Sequence, residues 1–310
     1  MFAQVVLGVA GAPRVRSLVT GSSLSRPVVR RFVAGEDTDA ALEAVRTLRA
    51  DGVHTTLDVL GEDVTHPEQA EQTLAAYLDL VTRLAGAGLA QGEEVSVKLS
   101  ALGQGLGPDG PARATERAHA LVEHAHAHGV DVTVDMEDHT RVDLTLEAVR
   151  ALRADFPRTG CVLQSMLHRT PGDAADLAHP GSRVRLVKGA YAEPAEVAHP
   201  AKKDVDLAYV RCLRTLLDGG AYPMVATHDL RLVRIAEDLL AGRAPGADGP
   251  AGEFQMLYGI RTDELRRLAA AGHVVRTYVP FGTDWYGYFS RRLAERPANL
   301  AFFARSLAHA

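Results

Sequence analysis

One alternation runs through most of this chain and restricts its fold more than any other feature. "HTTLDVL" reads as a strand and "HPEQAEQTLAAYLDLVTRLAGAG" as a helix. The pattern recurs in "EVSVKLSAL" before "ARATERAHALVEHAHAHG", "DVTVDMED" before "TRVDLTLEAVRALRADF", "GCVLQSML" before the short "GDAADLA", and "RVRLVKGAY" before "DVDLAYVRCLRTLLDGG". "YPMVATHD", "EFQMLYGI" and "VVRTYVPFG" open three more units, completed by "LRLVRIAEDLLAG", "TDELRRLAAAG" and "WYGYFSRRLAER". The strands are rich in Val, Leu and Thr, and most of the helices stop at Gly. Eight βα units without a composition break predict an α/β fold, a parallel sheet closed into a (β/α)8 TIM-type barrel. An open doubly wound sheet would usually carry a Gly-rich dinucleotide turn, and "GQGLG" at Gly103 has the wrong spacing for one.

The barrel is expected over 53–310, behind a helical N-terminal region over 1–52 that contains "TDAALEAVRTLRADG". "PANLAFFARSLAHA" predicts an extra packing helix, and "GRAPGADGPAG" (Gly242 to Gly252) a loop within the domain. A hydrophobic share of 46% and a charged share of 24% fit a soluble globular chain with a sizeable core. The formal charge of -5 gives no reason to expect nucleic-acid binding. Cys161 and Cys212 lie far apart without metal-type spacing, so reduced thiols and a cytoplasmic location are expected. "MFAQVVLGVAGAPR" lacks a basic n-region, and no stretch reaches the roughly 18 apolar residues of a spanning helix. An amphipathic helix packed on the domain is the expectation there.

Parallel strands in such a fold are buried on both faces and should be almost continuously apolar. These are not. Val95, Val97 and Leu99 share one face, opposite Ser96, Lys98 and Ser100; Val132, Val134 and Met136 oppose Thr133, Asp135 and Glu137. Val184 and Leu186 oppose Arg183 and Arg185, while Asp58, Gln164 and Tyr278 interrupt three further strands. The apolar faces are expected to meet the helices. Asp58, Lys98, Asp135, Gln164, Arg185 and Tyr278 should then converge near the strand C-termini, where this fold builds active sites. Buried charges persist only when paired or met by a polar ligand, so the set marks a site without naming its chemistry.

Other motifs compete. His124 and His128 stand i, i+4 on one helix beside His119 and His126, but that helix should lie outside the barrel. "DMEDH" offers Asp135, Glu137, Asp138 and His139 to a divalent metal, yet Lys98 and Arg185 compete for the same space, and a metal-free site is preferred. Lys98 or Lys188 could form a Schiff base, as in aldolases of this fold, although Asp135 beside Lys98 would raise its pKa rather than depress it. "RRLAER" alone reads as a solvated face with Glu295 pairing Arg291. Its position just after the last strand changes that. Tyr288 falls beside both Arg291 and Arg292, and two guanidiniums near a phenol suit a small carboxylate with a ring-like remainder.

"VKLSAL", "VDMEDH", "RLVKGAY", "ATHD", "EFQMLYGIR" and "YVPFGTDWYGYFSRRLAERPAN" together resemble the flavin-dependent proline dehydrogenases of the monofunctional bacterial type, over essentially the whole chain. The resemblance implies a distorted barrel with FAD at the strand C-termini and a last barrel helix over the mouth. It implies oxidation of L-proline to Δ1-pyrroline-5-carboxylate by hydride transfer to flavin N5, with electrons passed to a membrane quinone and peripheral membrane contact. By position, Lys98, Arg291 and Arg292 are implied at the proline carboxylate, Tyr278 and Tyr288 against the ring, and Tyr191 along the pocket. Asp135 and Arg185 are implied as the polar catalytic pair, with Arg185 beside the flavin. Met136, Gln164, Lys188, Gly189, Ala190, Thr227 and His228 are implied as FAD contacts. Two other readings stay open on the residues alone: a cofactor-free lyase or aldolase using Lys98 or Lys188, and a barrel that binds a carboxylate without turnover.

Overall fold

Eight parallel strands close into one ring in sequence order, each bonded to the next and the last to the first. This is the arrangement in a computed structural model that describes residues 29–243 and 251–295. The strands are β1 (His54–Val59), β2 (Glu94–Val97), β3 (Asp131–Val134), β4 (Gly160–Gln164), β5 (Arg183–Val187), β6 (Tyr222–Ala226), β7 (Glu253–Leu257) and β8 (Val275–Phe281). Ring closure pairs β1 with β8 from His54 opposite Arg276 to Val59 opposite Phe281.

The helices follow the expected alternation. They are α1 (Thr38–Ala50), α2 (Pro67–Gly86), α3 (Gly110–Ala127), α4 (Val142–Asp155), α5 (Thr170–Asp176), α6 (Lys202–Asp218), α7 (Leu230–Ala241), α8 (Thr262–Ala270) and α9 (Trp285–Glu295). Local chemistry fixes several starts. Asp37 accepts from the Ala40 N–H at 2.9 Å ahead of α1, and Asp229 from the Arg231 N–H at 3.1 Å ahead of α7. Pro67 opens α2, and Gln69 reaches back to the His66 N–H at 3.0 Å.

The apolar core lies between strands and helices. Leu57, Val95, Val97, Val134, Leu186 and Val279 point outward and meet Tyr77, Leu80, Leu121, Leu152, Tyr209 and Leu216 from the helix ring. A second, smaller cluster lies apart: Val29, Phe32 and Val33 pack on Trp285, Tyr286, Tyr288 and Phe289 of α9. The amphipathic helix expected from "MFAQVVLGVAGAPR" and the helix expected from "PANLAFFARSLAHA" lie outside the described residues, and so does 244–250 of the expected loop. No helix among the described residues is long and apolar enough to cross a membrane.

Candidate active site

With the apolar side chains turned outward, the alternate residues of every strand point into the ring. Many of them carry charge here, while β4 and β6 contribute uncharged residues such as Val162 and Met224. At the base, Arg276 donates to Glu253 at 2.7 Å, and Arg183 to Glu94 at 2.7 Å and Asp131 at 2.8 Å. One layer up, Arg185 uses all its donors inside the barrel. Nη2 meets Glu94 at 2.5 Å and Thr56 at 3.4 Å; Nη1 meets Asp135 and Ser96, each at 2.7 Å; Nε meets Gln255 at 2.6 Å. A guanidinium has five N–H groups, so Arg185 is saturated in this arrangement. Burial opposes the charge of Glu94, but Arg185, Arg183 and Arg276 outweigh it and hold the carboxyl at about 2.

The network continues to the rim. Tyr278 donates to Asp135 Oδ2 at 2.7 Å, and the Arg185 guanidinium stacks 5.5 Å from the Tyr278 ring. Lys98 donates to both Asp58 oxygens, at 3.1 and 3.2 Å, with Asp135 at 4.0 Å. Burial works against the Lys98 ammonium, but Asp58, Asp135 and Glu62 outweigh it and raise its pKa above the ordinary lysine value. Burial raises the Asp135 carboxyl, against the pull of Arg185 and Lys98. Tyr77 of α2 donates to the Ser96 carbonyl at 2.5 Å and approaches Asp58 at 3.4 Å, so even the helix layer contributes to this site.

Five of the six strand residues expected to converge are thus joined by contacts: Asp58, Lys98, Asp135, Arg185 and Tyr278. Arg185 sits one layer deeper than the mouth, because it occupies the third position of β5 rather than its end. Gln164 is separate from this set; its Nε2 donates to the Glu137 carbonyl at 2.8 Å and ties the end of β4 to the turn after β3. Met136 is buried in that turn. Tyr191 is partly buried, and burial followed by the Glu137 and Glu62 charges raises its pKa.

α9 brings the arginine pair. Arg292 is buried, its guanidinium 5.0 Å from the Tyr288 ring centroid. Arg291 donates to Glu62 at 2.5 Å, and the charges of Glu62, Tyr191 and Asp58 act on it. The partner of Arg291 is therefore a loop residue after β1. Sequence reasoning missed Glu62 because nothing local to "GEDV" marks it. It also missed Glu94, Glu253, Gln255 and Arg276, although each extends the period-two polar face of its strand toward the N-terminal end.

Beyond Met136 and Gln164, the residues implied for a cofactor line the ends of β5 and β6. Lys188 donates to Asp206 at 2.5 Å and Asp229 at 2.9 Å, which Lys202 and Arg231 share. Thr227 accepts from the Asp229 N–H at 3.2 Å, and His228 Nε2 accepts from the Leu257 N–H at 3.0 Å. Gly189 has φ +113, and a Cβ there would meet Met166 Sδ at 2.3 Å, so position 189 favours glycine. The histidines of α3 point elsewhere: His124 contacts Thr82 at 2.9 Å and His128 the His124 carbonyl at 2.8 Å. No group of three or more metal-type side chains is assembled among the described residues.

A closed parallel barrel with a charged interior, a polar rim and a basic helix following its last strand defines an enzyme-type (β/α)8 barrel. Comparison with known proteins narrows the class. The family profile "Proline dehydrogenase" matches residues 41–305, and the chain belongs to that family. It is 42% identical over 309 residues to a proline dehydrogenase of Deinococcus radiodurans, covering 99% of this chain and 98% of that one. It is 37% identical over 278 residues to proline dehydrogenase 1 of Bacillus subtilis (strain 168), covering 90% of each. Among solved structures, proline utilization A from Bdellovibrio bacteriovorus, inactivated by N-propargylglycine, superposes with a TM-score of 0.78 at 26% identity. A Bradyrhizobium japonicum proline utilization A mutant gives 0.73 at 27%. The matches cover 90% and 91% of this chain but only 33% and 32% of those chains, so this chain corresponds to about a third of each.

Proposed function

We propose that this chain oxidises L-proline to Δ1-pyrroline-5-carboxylate, with FAD as its bound cofactor and a membrane quinone as the final acceptor. The observation that carries the reading is the assembly of Lys98, Asp58, Asp135, Arg185 and Tyr278 at one rim, in a chain of the proline dehydrogenase family.

The donor set at the ends of β5 and β6 fits a dinucleotide. Lys188, Lys202 and Arg231 set three cations against the two carboxylates of Asp206 and Asp229, which favours an added anion. Gly189, at φ +113, gives the turn after β5 its shape and makes room for Met166 beneath it. Lys188, Gly189, Ala190, Thr227, His228, Gln164 and Met136 would hold the dinucleotide. Bound FAD supplies a two-electron hydride acceptor that no side chain can provide.

The chain's own residues do the rest. Lys98 stays protonated beside Asp58 and presents a fixed charge to the proline carboxylate, with Arg291 and Arg292 from α9 completing the clamp. Tyr278 and Tyr288 offer ring faces to the pyrrolidine, and Tyr191 lines the pocket. The clamp holds C5 at reacting distance, an entropic contribution. The substrate nitrogen must be neutral as hydride leaves, because a protonated nitrogen has no lone pair to release. Asp135 holds Arg185 and Tyr278 in place beneath the pocket.

The visible spectrum tests this directly. Purified protein is expected to show a flavin band that anaerobic L-proline bleaches. A colourless preparation that FAD cannot reconstitute, combined with borohydride trapping of an oxo-acid on Lys98 or Lys188, would put the lyase reading in its place.

A further inference from the structure

We infer that Glu193 is a positioning residue for Tyr191: it ties the open stretch after β5 to the turn after β3, and so holds the Tyr191 side chain at the mouth. The inference rests on the reading of Tyr191 as a pocket residue. The stretch is fastened at both ends to the loop after β4. Upstream, the Ser165 N–H donates to the Val187 carbonyl and the Met166 N–H to the Lys188 carbonyl, each at 2.8 Å. Downstream, the His168 N–H donates to the Val197 carbonyl at 2.9 Å and the His199 N–H to the Met166 carbonyl at 2.8 Å. Between these points, residues 189–193 make no main-chain to main-chain hydrogen bond among the described residues. Such a stretch is free to move unless side chains fix it.

Glu193 fixes it from a buried position. Its side chain is 4% exposed, and its carboxylate takes two bonds from one residue: Oε1 accepts from the His139 N–H at 2.9 Å, and Oε2 meets His139 Nδ1. Two bonds between a carboxylate and one residue fix direction as well as distance. His139 is a firm post. It opens the short turn His139–Arg141, where Asp138 accepts from the Thr140 N–H at 2.9 Å. Arg141 anchors that turn, donating to Glu137 at 2.9 Å and to Asp63 in the loop after β1 at 2.8 Å. Ala190 and Ala192 are exposed, whereas Tyr191 and Glu193 are partly buried, so these two turn to the same side of the stretch. With only Ala192 between them, a fixed Glu193 carboxylate limits where the Tyr191 ring can go. That ring stands among the groups of the proposed pocket. Its hydroxyl is held neutral by burial first, then by the charges of Glu137 and Glu62, with Lys98 and Arg291 opposing.

Hydrogen exchange and kinetics on the flavin-loaded protein test the tie and its purpose separately. The His139 amide is bonded to Glu193, so Glu193→Ala is expected to speed its exchange by roughly tenfold, the equivalent of one bond to a charged group. Glu193→Gln keeps an oxygen for that N–H and is expected to stay near the parent rate. Glu193→Ala is also expected to raise the proline KM by roughly tenfold, with a smaller fall in kcat, and Glu193→Gln to restore most of the loss. His139→Ala removes the ring bond and keeps the main-chain one, so its KM is expected to fall between. In a Tyr191→Ala background, Glu193→Ala is expected to add little to KM, because the side chain it positions is gone. Unchanged exchange at His139 in Glu193→Ala overturns the tie. KM penalties of Tyr191→Ala and Glu193→Ala that multiply in full overturn the positioning role. If Glu193→Ala does not fold, His139→Ala carries the same kinetic comparison against Tyr191→Ala. A parent chain inert toward proline would sink the proposed function, while the exchange test of the tie would still be read.

Discussion

Lys98 has to choose between two chemistries, and its surroundings choose for it. A Schiff-base lysine must shed its proton near neutral pH, which desolvation alone would favour. Asp58 at 3.1 Å and Asp135 at 4.0 Å reverse that, so the ammonium persists through any assay below pH 10. Its stabilising contribution is complete below the ordinary lysine pKa of 10.5 and fades only as pH rises toward the higher folded value. Lys98→Met is therefore expected to raise the proline KM at least tenfold and to cost about 3–5 kcal/mol, because it strands the buried Asp58 carboxylate. Adding Asp58→Asn should recover part of that stability but none of the affinity. A denaturant titration of the single and double variants checks it: simple additivity would mean that the two side chains are not a pair.

At the scale of elements, one tight fit lies between β3 and β4. Thr133 stands opposite Gly160, and a Cβ on Gly160 would fall 2.1 Å from Thr133 Oγ1. That hydroxyl donates to Glu94 at 2.8 Å. Gly160→Ala is thus expected to push the hydroxyl off Glu94 and to cost about 2–4 kcal/mol, by overpacking and by loss of a bond to a buried charge. Chemical denaturation should show a lower midpoint with an unchanged slope, and an unchanged midpoint would mean that the two strands can separate freely. The elements themselves were legible: period-two strands and Gly-ended helices gave the eight units, and polar residues on buried strands gave Lys98, Asp135, Arg185 and Tyr278. The pairing of Arg291 with Glu62 and the hydrogen bonds of residues 34–35 with the β8–α9 turn were not legible. Both join segments more than two hundred residues apart through loops, where no periodicity carries information.

Across the whole molecule, the interior of the ring is an ionic chain rather than the layered aliphatic packing usual for this fold. Asp58, Glu94, Asp135 and Glu253 interleave with Lys98, Arg183, Arg185 and Arg276 from rim to base. Such a column contributes little net stability over an apolar core, but loses much when one sign is removed. Acid removes the negative sign. Glu94 is held near 2, against an ordinary 4.5, first opposing its burial and then through three arginines. A depressed carboxyl stabilises the fold fully above 4.5, and that contribution is lost as pH falls from 4.5 toward about 2. Asp135 and Glu137 are shifted upward by burial and work in the opposite direction, while Glu253 is lowered beside Arg276, against its own burial, and works with Glu94. The thermal midpoint is therefore expected to be nearly flat from pH 7 to 5 and to drop steeply below 4.5. Glu94→Gln should start lower at pH 7, because Arg183 and Arg185 lose a shared partner, and then decline less across the acid window. The two curves should converge as pH approaches 2. Calorimetry of both proteins between pH 7 and 2 decides the matter, and curves that stay parallel would show that Glu94 is not where acid breaks the column.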